Sequence, residues 1–208
     1  MVMPQVIEQG WALVATDYID SGTPGPHSYL MGPEAARAEL DTVRAARQLQ
    51  HLTLSNKTVS WGHSQGGGSA LWTGKIAPTC APDVPLSGMA AMAPASDLKA
   101  LIGSLSGITG GSVVASFAIT AFTEIYPDVR FHEYVRPGFE PFSRSMAERC
   151  LASPDLLVSL LDAVSMSRDP QIFSGDPLAG ALGERLNQNY PSALISDSLF
   201  VVKAKPTA

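Results

Sequence analysis

The sequence predicts an α/β fold: a parallel sheet joined by crossover helices, with a helical block inserted before the last strand. Three observations carry this. Short apolar runs rich in β-branched residues alternate with helical periodicity over residues 10–97. The stretch 98–195 then reads as helical and irregular, and strand character returns at 198–205. Such an order divides the chain into core elements over 1–97, a helical insertion over 98–195 and a return strand over 196–208.

The elements follow in order. "GWALVATDY" (10–18) is short, apolar and bounded by glycine-rich sequence, which predicts a buried strand. "IDSGTPGPHSYLMG" is dense in Gly, Pro and Ser and predicts a loop. Pro33 suits the first turn of a helix, and Glu34 beside it favours the positive end of the dipole. Ala36, Leu40, Val43, Ala46 and Leu49 then recur at helical spacing, while Arg37, Glu39, Arg44 and Gln48 fall mostly elsewhere. "KTVSW" (57–61) predicts a strand, "GGGSALWTGKIA" a helix, and "PLSGMAAMAPASD" (85–97) a strand leading to a helix with Ser96 as N-cap. "LASPDLLVSLLDAVSM" predicts an amphipathic helix with Ser153 as N-cap and Pro154 at its first position.

Composition narrows the function. The net charge is −5 and no basic block stands out, which argues against nucleic acid as a partner. Cys80 and Cys150 are too few for a disulfide framework or a zinc cluster, and no metal or organic cofactor is implied. Residues 100–123 carry no charge and have the length of a membrane span. Their Gly, Ser and Thr content, with Gly110-Gly111 inside, predicts a buried or substrate-facing helical hairpin instead. The N-terminus lacks the basic start and long apolar centre of a signal peptide.

"SWGHSQGGGSAL" (60–71) carries the chemistry. Ser64 stands between Gly62 and Gly66, after a strand and before a helix. A nucleophilic serine needs this setting, a sharp turn that exposes the hydroxyl. The glycines are expected to allow the tight turn and close strand–helix approach. The helix start supplies free N–H groups and a positive dipole end, with the Gln65 N–H as first donor to an oxyanion. The same stretch is not a dinucleotide loop, since it lacks the Gly-x-Gly start. The plainer alternative is a glycine-rich turn carrying an exposed serine.

"GWALVATDYIDSGTPGPHSYLMGPEAARAELDTVRAARQL" followed by "GHSQGGGSALW" resembles the secretory lipase family of the yeast lipase A type. The resemblance covers residues 10–98 and is looser beyond, where "YPDVRFHEYV" still fits. It implies a partial α/β-hydrolase core with an inserted helical cap. It implies Ser64 as nucleophile, Asp17 and Gln65 as the oxyanion hole, and acyl ester or lipid substrates reached through an acyl-enzyme. It implies an extracellular role in lipid breakdown and a cap that shapes an acyl pocket and touches a lipid interface transiently.

In this fold the triad runs serine, acid, histidine along the chain. The four histidines are His27, His51, His63 and His132, and none follows the return strand. The resemblance therefore implies an acid and a histidine beyond residue 208, and further sheet residues before residue 1. His27, in the loop after "ATDY", is the substitute base within the chain, since such loops flank the active site. Asp97, Asp162, Asp169, Asp176 and Asp197 are the later aspartates, each also explicable as a cap or surface residue. Two further classes remain at this point: a non-catalytic relative that binds an apolar ligand, and a peptidase or acyltransferase on the same fold.

Overall fold

The computed structural model describes residues 3–21, 25, 27–105, 108–149, 154–165, 172–191 and 199–202. The chain forms two compact units. One comprises residues 1–24, 31–96 and 191–208, and the other 25–30 and 97–190.

The first unit contains α1 (Met3–Glu8), α2 (Gly32–Ala46), β1 (Thr58–His63), α3 (Gln65–Cys80), β2 (Leu86–Met92) and β3 (Leu199–Val202). The strands form one sheet in the order β1-β2-β3, and both pairings are parallel. Ser60 lies opposite Met89 and His63 opposite Met92, while Met89 meets Leu199 on the other side. Parallel neighbours require crossovers, and α3 is the one between β1 and β2.

Helix α2 forms because Ala35, Ala36, Leu40 and Ala46 make one buried stripe on an otherwise polar helix. Leu40 packs with Ala77, Ala81 and Val84, which ties α2 to the end of α3 and the turn before β2. Small residues on α3 let it lie close to the sheet. Behind β1, Glu39 on α2 accepts hydrogen bonds from Ser60 (2.7 Å) and Thr73 (2.8 Å). One carboxylate oxygen thus joins helix, strand and helix.

The run at 10–18 is not a strand. Residues 11–18 have no regular secondary structure, and Trp11 and Val14 are exposed. A strand exists only where a neighbour takes up its backbone groups, and no described strand does so here. A short helix, α1, precedes this run. Ser96 is not the cap of the helix after β2. Asp97 accepts the Ala100 N–H at 2.9 Å, since its side chain is one residue nearer the first turn.

The second unit is helical: α4 (Leu98–Leu105), α5 (Thr109–Ile125), α6 (Phe131–Tyr134), α7 (Glu140–Ala147), α8 (Asp155–Ser165) and α9 (Gly180–Gln188). Helix α5 is its centre, with Val113, Ala115, Ala118, Ile119 and Phe122 all buried. Gly111 falls inside its first turn and does not interrupt it. Among the described residues no helix is long and apolar enough to cross a membrane. Tyr134, buried on α6, accepts the Leu182 N–H at 3.0 Å and so caps α9, whose own cap residue, Ala179, has no side-chain acceptor. Ser153, the expected cap of α8, and Cys150 lie outside the described residues.

Arg44 grips Asp83 with two bonds, at 2.8 and 2.6 Å, and also bonds Asp41. The guanidinium holds the Asp83 carboxyl down at about 2, below the ordinary 3.8. A folded value below the unfolded one gives stability that is complete above pH 3.8 and is lost as pH falls through 2. Carbon-detected NMR titration should place Asp83 near 2, and Arg44→Ala should return it towards 3.8.

Candidate active site

The site is built on the turn from β1 into α3. Ser64 has φ 55° and ψ −115°, a conformation L-residues rarely hold. Three backbone hydrogen bonds fix it. The Ser64 N–H donates to the Met92 carbonyl (3.0 Å), and the Ser64 carbonyl accepts from Gly68 (3.0 Å) and Ala95 (2.9 Å). The first turn of α3, the end of β2 and the segment just after it thus converge on one residue. Ser64 is exposed, and its hydroxyl makes no capping bond to α3. The strain therefore presents an uncommitted hydroxyl to solvent.

Two glycines make this closeness possible. A Cβ on Gly62 would overlap the Gly66 backbone, and one on Gly68 would stand 2.6 Å from the Ala95 carbonyl oxygen. Gly66 differs from the sequence expectation. A Cβ there would meet only the Tyr18 hydroxyl, at 3.7 Å. The crowded positions flank the turn; Gly66 itself has room.

Gln65 is the first residue of α3, so its N–H and the next two have no intrahelical acceptor. They make a partly positive rim beside the serine hydroxyl. Asp17 is exposed, and its neighbour Tyr18 reaches the same first turn. Tyr18 has φ 56°, and its N–H bonds the Thr16 hydroxyl at 3.1 Å. Burial pushes the Tyr18 hydroxyl above its ordinary value, contact with Ser69 opposes this, and the Glu39 carboxylate adds to it. The sequence gives no sign of Tyr18, because only the fold brings it to α3.

The histidines and later acids are dispersed. His27 belongs to the helical unit, half-buried with its ring 6.1 Å from that of Tyr29. His51, His63 and His132 are exposed. Asp97 caps α4, Asp162 pairs with Arg149 at 2.5 Å, and Asp176 accepts the Leu178 N–H at 2.9 Å. Asp169 and Asp197 lie outside the described residues.

A parallel sheet with crossover helices and a strained serine between strand and helix define the class: an α/β-hydrolase core, here partial. The family model for secretory lipases matches residues 1–169. The chain belongs to the secretory lipase family. It is 26% identical over 150 residues to the secreted triacylglycerol lipase LIP1 of Malassezia furfur, covering 70% of this chain and 29% of that protein. Its fold is similar to Candida antarctica lipase A, with a TM-score of 0.72 and 16% identity, covering 97% of this chain and 48% of the other. It is also similar to the rice cell wall degrading esterase LipA of Xanthomonas oryzae in a ligand-bound form, with a TM-score of 0.71 and 21% identity, covering 90% and 54%. The chain thus spans about half the length of these solved structures and under a third of the Malassezia protein.

Space at the elbow predicts two opposite outcomes. Gly68→Ala should destabilise the protein by about 1–3 kcal/mol, the usual range for overpacking, because backbone faces the new methyl. Gly66→Ala should be near neutral or slightly stabilising. Urea unfolding of both variants measures the difference.

Proposed function

We propose that this chain carries the nucleophile half of a carboxylic ester hydrolase acting on acyl esters. The observation that carries the reading is Ser64, held strained and exposed at the mouth of a strand–helix turn with its hydroxyl uncommitted. Its oxygen would attack the ester carbonyl carbon. Negative charge would develop on the carbonyl oxygen, and the Gln65 N–H, with the backbone N–H of Asp17, would stabilise it. The alcohol would leave, and water would release the acyl group from Ser64. Family membership and the Malassezia protein's name support lipid esters as the substrate class and an extracellular site of action. The base in this reading is His27, which follows the Asp17 loop in the chain; His27→Ala would then lower ester turnover.

The reading includes contact between the helical unit and a lipid surface. Helix α8 supports it: Leu157, Leu161 and Val164 recur at helical spacing and are 64%, 59% and 59% exposed. Their opposite face, Ser159 and Ala163, is buried. A second reading, a peptidase or acyltransferase, would use the same serine; no feature of the described residues favours it.

Two measurements follow. Ser64→Ala should reduce hydrolysis of p-nitrophenyl butyrate to the uncatalysed background with the fold intact by circular dichroism. Unchanged turnover would refute the nucleophile assignment. Leu157→Gln with Leu161→Gln should weaken adsorption to triacylglycerol emulsions by about tenfold, from the apolar area removed, while turnover of soluble esters stays the same.

A further inference from the structure

An oxyanion hole at Ser64 needs two N–H groups from two segments. The Gln65 N–H is fixed by α3, whose first residue it belongs to. The Asp17 N–H has no such support. Among the described residues no backbone hydrogen bond joins 12–18 to β1 or α3. Two side chains bracket Asp17 instead. The Thr16 hydroxyl accepts the Tyr18 N–H at 3.1 Å, which closes a short turn around it. Tyr18 itself is held at φ 56°, and its hydroxyl stands over Gly66, 3.7 Å from where a Cβ would be. Ser69 lies one turn along the same face of α3. Its buried hydroxyl faces that of Tyr18 and has no other partner among the described residues. All of these residues belong to the first unit.

We propose that Tyr18 is the positioning residue of the oxyanion hole: its side chain, seated on the Gly66–Ser69 face of α3, fixes where the Asp17 N–H stands relative to the Gln65 N–H. This role rests on Ser64 as the nucleophile and adds what aligns the second donor. The left-handed backbone at Tyr18 is a strained state that persists only where surrounding contacts over-determine it, and the seat on α3 is such a contact. Gly66 fits the same picture. The turn does not crowd it, yet a side chain larger than methyl would take the place of the Tyr18 hydroxyl. The polar match is selective as well. A phenylalanine at 18 would fill the space but leave the buried Ser69 hydroxyl without a partner. An oxyanion donor acts on charge that exists only in the transition state. A displaced Asp17 N–H therefore slows the chemical step and leaves substrate binding alone.

The full chain is assayed with p-nitrophenyl butyrate. Tyr18→Ala should lower kcat by about 100-fold, the usual effect of losing one oxyanion donor, with KM within about twofold. Tyr18→Phe keeps the ring and should lose about tenfold, the upper end for one hydrogen bond. Ser69→Ala should match Tyr18→Phe, and the double variant should be no slower than either, because both remove one contact. Circular dichroism checks the fold. Wild-type kcat in Tyr18→Ala, a raised KM with kcat unchanged, or additive losses in the double variant each overturn the proposal. If Tyr18→Ala does not fold, Tyr18→Phe and Ser69→Ala decide by the same criteria. Where turnover is too slow to read, the rate at which an alkyl p-nitrophenyl phosphonate modifies Ser64 replaces kcat. Attack at phosphorus also charges an oxygen as p-nitrophenolate leaves, and a wild type that stays unmodified overturns the proposal. Turnover that survives Ser64→Ala refutes the nucleophile, and Tyr18 with it. A fully active Tyr18→Ala beside an inactive Ser64→Ala removes Tyr18 alone.

Discussion

The backbone of Ser64 is the constraint on which the first unit depends. Its N–H reaches the Met92 carbonyl, and its carbonyl gathers the N–H groups of Gly68 and Ala95. They are made with φ turned to +55°, at a cost of about 1–3 kcal/mol for a residue with a Cβ. Three hydrogen bonds of about 1 kcal/mol each are enough to offset that cost. The strain and the site are one feature. The conformation that joins β1, α3 and the end of β2 also leaves the serine side chain without a structural partner.

Behind the turn, the polar brace at Glu39 does what apolar packing cannot do at the same place. Ser60 and Thr73 would otherwise be buried hydroxyls without acceptors, and each would lose free energy on desolvation. A single carboxylate serves both and fixes how α2 lies behind β1. Tyr18 continues this polar layer towards the elbow, so the segment carrying Asp17 is held against α3 through a ring and hydroxyl.

The helical unit is organised differently, around an apolar centre. Helix α5 is buried on nearly all sides and can carry small residues because its neighbours approach closely. The polar needs of its short helices are met from a distance, as when Tyr134 caps α9 across 48 positions of sequence. Helix α8 keeps an apolar outer stripe that this unit does not cover. Such a stripe is a cost in water and requires a partner to be neutral.

The sequence by itself determined the local elements. The stripe of Ala36, Leu40 and Ala46 made α2, the run before Gly62 made β1, and the glycines about Ser64 placed the turn between strand and helix. Those signals are short-range: periodicity, propensity and room for a backbone. Only the tertiary structure decided that 11–18 has no strand partner among the described residues, that Gly68 rather than Gly66 is the crowded position, that Asp97 rather than Ser96 caps α4, and that Tyr18 stands at the elbow. Each depends on which distant groups arrive within bonding distance. A ladder needs a second chain segment, a clash needs a neighbour, and no periodicity within one segment records either.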